Sequence, residues 1–140
     1  MKTPWIGTSW KMNKTRGEAR AFAEALKASP FANTTRAQPF VIPPFPYIAE
    51  VAGILSGTRV KVGAQNMHWE EKGAFTGEMA PAMIKELCSY VILGHSENRK
   101  SGETDKLINL KIKSAIKSRL KVIFCIGETL NEKRKKRTKQ

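Results

Sequence analysis

The chain has 140 residues, 41% of them hydrophobic, which is enough for one domain with a real core and too apolar for wholesale disorder. Its net charge of +13 raises the idea of a polyanion partner, but the last ten residues hold six of the cations against Glu132, and no basic stripe interleaved with aromatics occurs elsewhere, which argues against a nucleic-acid surface. No apolar run reaches membrane-spanning length, no signal-peptide core opens the chain, and Cys88 and Cys125 lie far apart outside any CxxC, so the sequence predicts a soluble cytoplasmic protein with reduced thiols and no membrane contact.

Taken in chain order, the elements alternate. Trp5 to Trp10 reads as a first strand. Thr15 and Glu18 form a capping-box pattern, and Ala19, Phe22, Ala23 and Leu26 then fall at helical spacing, predicting a helix over about 16–27. Phe40-Val41-Ile42 is a second strand stopped by Pro43-Pro44. Ile48, Val51, Ala52 and Leu55 mark a second helix closed by Ser56-Gly57. Val60 to Ala64 is a third strand. A long loop, Gln65 to Ala80, follows; loops of this length without structure of their own are usually functional. Pro81 suits the first turn of a third helix carrying Met83, Ile84 and Leu87. Tyr90 to Leu93 is a fourth strand, Ile108, Ile112, Ala115 and Ile116 a fourth helix, and Val122 to Ile126 a fifth strand ending in Gly127-Glu128-Thr129. The strands are continuous apolar runs, which predicts burial on both faces and parallel pairing. The fold class is therefore α/β, either an open doubly wound sheet or a (β/α) barrel. The absence of GxGxxG and Walker patterns removes the usual support for nucleotide-binding sheets.

Chemistry in parallel α/β proteins sits at the carboxyl ends of the strands. There the sequence places Lys11 after strand one, a point charge suited to an anion. After strand four it places His95, Ser96 and Glu97, an imidazole, a hydroxyl and a carboxylate. Gly94-His95-Ser96-Glu97-Asn98 lacks the second glycine of a nucleophile elbow, so a serine hydrolase is not expected. His68, in the long loop, has no partner at metal-ligand spacing and reads as a surface or interface residue. Glu128 reads as a hydrogen-bonding structural carboxylate.

Together, Gly7-Thr8-Ser9-Trp10-Lys11-Met12-Asn13, Val62-Gly63-Ala64-Gln65-Asn66, Gly73-Ala74-Phe75-Thr76-Gly77-Glu78, Ile92-Leu93-Gly94-His95-Ser96-Glu97-Asn98-Arg99 and Val122 to Leu130 resemble the triose-phosphate isomerase family, in its order and spacing. The resemblance implies a (β/α)8 TIM barrel, here with strands one to five and helices one to four. It also implies an aldose–ketose isomerase acting on glyceraldehyde 3-phosphate and dihydroxyacetone phosphate, in glycolysis and gluconeogenesis, through an enediolate. Carried over by position, Lys11, with Ser9, binds the substrate phosphate. His95 is the neutral electrophile that polarises the carbonyl, a role that is itself a worked example of pKa tuning, and Glu97 supports it. Arg99, Cys125 and Glu128 pack behind the site. Gln65, Asn66 and Thr76 lie in a loop that reaches the neighbouring subunit, implying a homodimer. The resemblance implies no cofactor and no metal; the only small-molecule partner implied is a sugar phosphate.

The chain departs from the family in three places. Ser9 stands where the family usually carries Asn. This resembles the branch acting on tetrulose phosphates such as erythrulose phosphate, where a smaller side chain makes room for one more carbon. The family's base, a glutamate after strand six, would lie beyond Gln140, and Glu70, Glu71, Glu78, Glu103 and Glu128 do not occupy its position. No general base and no activity are therefore expected of the chain alone. Residues 1–130 read as the N-terminal part of a barrel and residues 131–140 as a basic, disordered tail, from a reading frame that ends early. A non-catalytic basic fragment is the alternative from another class. Five of eight strands would leave two open edges, predicting marginal stability and aggregation.

Overall fold

A computed structural model describes residues 3–136. Five strands, β1 (Trp5–Ser9), β2 (Gln38–Ile42), β3 (Lys61–Ala64), β4 (Tyr90–Leu93) and β5 (Lys121–Phe124), form one all-parallel sheet in the order β1-β2-β3-β4-β5. Between them run α1 (Arg16–Ala28), α2 (Ile48–Ile54), α3 (Pro81–Lys85), α4 (Ser96–Lys100) and α5 (Asp105–Lys117), and α6 (Leu130–Arg134) follows the last strand. Two 3-10 turns, Pro30–Asn33 and Phe45–Tyr47, punctuate the connections.

Local sequence sets these boundaries. The Thr15 side chain accepts from the Glu18 amide while Glu18 reaches back to Thr15, so α1 begins in a complete capping box that satisfies two otherwise orphaned donors. Pro81 occupies the first turn of α3, where its missing N–H costs nothing. Thr129 and Glu132 make a second capping box. The basic end of the chain thus opens with a short helical turn where the sequence suggested none, and residues 137–140 lie outside the described residues.

Successive strand residues point to opposite faces. Val41, Val62, Ala64, Val91 and Leu93 join Ala19, Ala23, Val51, Leu55, Ile84, Ala115 and Leu120 in the core beneath the helices. Tyr90, on the other face, meets Trp5 edge-on at 4.7 Å and lies 6.2 Å from Phe40. The expected two-sided burial holds for the inner strands, but β1 is almost wholly exposed and β5 only half-buried. Among the described residues these two are the sheet edges, each with a neighbour on one side only. Trp5, Ile6 and Phe124 are consequently exposed.

Two further expectations fail, for identifiable reasons. His68, expected at the surface or an interface, is buried within the chain. Its ring stacks 4.0 Å from Trp69 and 4.1 Å from Phe75, and its Nδ1 accepts the Glu70 amide at 3.0 Å, so the long loop makes its own small core. On α5, Ile116 is exposed although its spacing marked it as apolar-facing, and Lys111 is buried in its stead.

Candidate active site

The carboxyl ends of β1, β3 and β4 border a cleft of about 170 Å³ lined by Ser9, Lys11, Phe45, Gln65, Asn66, Ile92, His95, Glu97 and Asn98. The sheet thereby gathers residues far apart in sequence. Lys11 Nζ donates to Glu97 Oε1 at 2.7 Å across 86 positions. The Glu97 carboxyl is held below the usual carboxylate range, first by that hydrogen bond and then by the charges of Lys11 and Lys100, against the desolvation that would raise it. Both partners are about half exposed, so solvent screens the pair and its worth to stability is small.

Lys11 has φ 53°, the left-handed region where non-glycine residues are uncommon and strained. Gln65 supplies the brace: its Nε2 donates to the Lys11 carbonyl at 2.9 Å and to the Ile42 carbonyl at 3.2 Å. Asn13 Nδ2 donates to the Trp10 carbonyl at 2.8 Å from the other side. The backbone that carries the cation is therefore fixed even though its ammonium is exposed.

Gly94 ends β4 with φ +75°, turning the chain so that the next residue, His95, becomes the N-cap of α4. His95 Nδ1 accepts the Glu97 amide at 3.3 Å. A ring nitrogen that accepts an N–H carries no proton, so this network assigns the imidazole proton to Nε2. Glu97 Oε2 also lies 3.4 Å from Nδ1, a contact that would favour a proton there. The backbone donor and the engagement of Glu97 by Lys11 weigh against it.

Behind the cleft, Arg99 ties the turn together, donating from Nε to the Gly94 carbonyl at 2.8 Å and from Nη1 to Asp105 at 2.6 Å. Cys125 donates its amide to the Leu93 carbonyl at 2.9 Å, and burial pushes its thiol up, partly offset by Arg99. Of the sequence-selected residues, Ser9, Lys11, Gln65, Asn66, His95 and Glu97 meet in the cleft, whereas Arg99, Cys125, Glu128 and Thr76 do not line it. Glu128 and Thr76 are exposed. Gln65 and Asn66, expected at a subunit contact, are bonded within the chain. Sequence reasoning missed Lys111, whose ammonium reaches Asn66. The signal was there: Ile108, Lys111 and Ala115 fall at i, i+3, i+7, which puts a lysine on the buried stripe and demands a carboxylate partner.

A parallel α/β wall that gathers a lysine, an imidazole and a carboxylate at its strand ends has the architecture of a (β/α)-barrel enzyme. The chain belongs to the triosephosphate isomerase family, whose model matches residues 4–140, and its five strands are part of that family's barrel. It is 56% identical over 131 residues to the L-erythrulose-1-phosphate isomerase of Brucella abortus biovar 1 (strain 9-941), covering 92% of this chain and 51% of that protein. To the L-erythrulose-1-phosphate isomerases of Rhizobium rhizogenes (strain K84 / ATCC BAA-868) and Rhizobium meliloti (strain 1021) it is 52% and 51% identical, with 92% of this chain covered and 50% and 51% of theirs. The chain spans about half the length of the curated relatives it matches. No helix among the described residues is long and apolar enough to cross a membrane.

Proposed function

We propose that this chain carries the substrate-polarising half of a tetrulose-phosphate isomerase, a site for L-erythrulose 1-phosphate, whose carbonyl would move from C2 to C3 to give the isomeric ketose phosphate. The names of the similar proteins favour the four-carbon substrate over the three-carbon one, and Ser9 in the cleft lining leaves more room than Asn would. The observation that carries the reading is the convergence of Lys11, His95 and Glu97 on one cleft.

Abstraction of a proton next to a carbonyl leaves negative charge on oxygen, which a preorganised donor must meet. His95, with its proton on Nε2, is proposed as that donor. Lys11 neutralises the phosphate, anchoring the unreactive end so that the reacting end is positioned. Glu97 holds Lys11 in place and occupies the imidazole's other nitrogen region, fixing the ring. Among the described residues Glu97 is the carboxylate that lines the cleft, and its pairing with Lys11 makes it a poor base. The proton-abstracting group is proposed to be the family's glutamate, outside these residues. The working protein is proposed to be a cytoplasmic homodimer, with the exposed Thr76 tip of the long loop at the subunit contact.

Titration of the isotope-labelled chain with L-erythrulose 1-phosphate, followed by NMR, tests the reading. Shifts centred on Lys11, Ser9 and His95 are expected, with weaker binding of dihydroxyacetone phosphate, loss of binding in Lys11→Met, and no turnover. Shifts confined to other surfaces would overturn it.

A further inference from the structure

Lys111 sits on the buried stripe of α5, between Ile108 and Ala115, where an apolar side chain would serve. Its ammonium donates to Glu103 Oε1 at 2.6 Å and to Asn66 Oδ1 at 2.9 Å. The side chains of the ion pair are 9% and 8% exposed. Such a pair gains little for the fold, because desolvating two charges offsets most of their attraction and apolar residues of similar volume often do as well or better. Glu103 makes the arrangement less favourable still, since its Oε2 is buried without a partner. Stability alone does not account for this pair.

What the pair does supply is direction. Asn66 Oδ1 accepts from Lys111 Nζ and from the Met67 amide, both at 2.9 Å. Both groups are donors with no accepting capacity. The amide cannot flip without placing its own N–H groups against them, so its oxygen is fixed toward α5 and its N–H2 end faces away. Asn66 lines the same cleft as Lys11 and His95.

We propose that Lys111 and Glu103 form a buried positioning pair. It locks the Asn66 side chain so that its N–H2 group is presented to the cleft as a donor for a hydroxyl or carbonyl oxygen of the sugar phosphate. The choice of ligand rests on the sugar-phosphate reading of the cleft; the orientation of Asn66 does not. The pair touches no substrate atom itself, and it acts from the far side of the long loop's first residues, through one amide.

The test uses the whole chain and the double variant Glu103→Leu/Lys111→Met, which replaces the pair by apolar side chains and is expected to keep a urea midpoint close to that of the parent. In the parent, nuclear Overhauser contacts should link the Asn66 side-chain N–H2 to Ile92 and His95. In the double variant these contacts should vanish while those between Ile92 and His95 persist. Affinity for L-erythrulose 1-phosphate should fall about tenfold, the worth of one hydrogen bond at the upper end of the neutral range, with affinity for inorganic phosphate unchanged. If the parent binds inorganic phosphate but no sugar phosphate, the functional reading fails, and the Asn66 contacts still decide the orientation. A double variant that keeps both the contacts and the affinity ratio would overturn the proposal, as would a parent whose Asn66 amide makes no cleft contact. Should the double variant not fold, the parent spectrum alone decides which way the Asn66 amide points.

Discussion

Replacing Gly94 by alanine tests the turn that delivers His95. Gly94 has φ +75°, and a Cβ there would stand 3.1 Å from the Cys125 carbonyl oxygen, 3.1 Å from the Phe124 ring and 3.2 Å from Arg99 Nη2. Two costs add. A Cβ in the left-handed region costs about 1–2 kcal/mol, of which the reduced freedom of the unfolded chain offsets about 0.4–1 kcal/mol. Crowding against backbone and ring adds about 1–3 kcal/mol, because the Cys125 carbonyl belongs to the chain leaving β5 and cannot swing aside as a flexible side chain would. Gly57 provides the control: its φ is +80° and nothing lies within 4 Å of its built Cβ, so Gly57→Ala carries the backbone cost alone. Urea unfolding followed by circular dichroism should place Gly94→Ala about 2–4 kcal/mol below the parent and Gly57→Ala about 1 kcal/mol below. With a slope of roughly 1.5 kcal/mol per molar, that lowers the midpoint by roughly 1.3–2.7 M against less than 1 M. Equal losses in the two variants would refute the idea that the strand end is packed against Cys125 and Arg99.

Two other outcomes follow from the charges and thiols. Glu97 has a folded pKa below its ordinary value, through Lys11, and Glu50 and Glu18 are lowered likewise, through Arg16 and Thr15. Their contribution is therefore present above the unfolded carboxylate pKa and is lost as pH falls through the lowered folded values. Urea midpoints measured from pH 7 to pH 3 should decline below about pH 4, and Glu97→Gln should flatten that decline; a midpoint independent of pH would contradict it. Burial pushes the Cys88 thiol up to about 12. At pH 8 a disulfide-exchange reagent should label the partly exposed Cys125 well before Cys88, which should react only on unfolding; simultaneous labelling would show that the core beneath α3 opens freely.

The elements legible in the sequence were those whose signal is local. The capping box at Thr15 and Glu18, the proline at the start of α3 and the apolar runs of β2 and β4 each depend on a few neighbouring residues. The carboxyl-end cleft was legible because parallel topology sends every strand end to the same side, so Lys11 and His95 had to approach one another. What escaped depends on distant partners. The burial of Lys111 needs Glu103 and Asn66, the burial of His68 needs Phe75 to fold back over it, and the exposure of β1 depends on its place at the sheet edge. Gln65 is the sharpest case: its amide holds the strained backbone of Lys11, a task no pattern around position 65 encodes.

Because each strand pairs with the one before it, the sheet order is also the order of synthesis. A chain emerging from the ribosome can lay down β2 on β1, then β3 on β2, with every new strand closing a short circuit of sequence. The lysine of the cleft runs counter to that schedule. Lys11 is made before its partners, for its carbonyl waits for Gln65, 54 positions later, and its ammonium for Glu97, 86 positions later. The lysine of the cleft is thus translated well before the partners that hold its carbonyl and its ammonium. Until the Gln65 amide has docked after β3, the nascent chain carries a cation whose backbone lacks the brace on its left-handed turn.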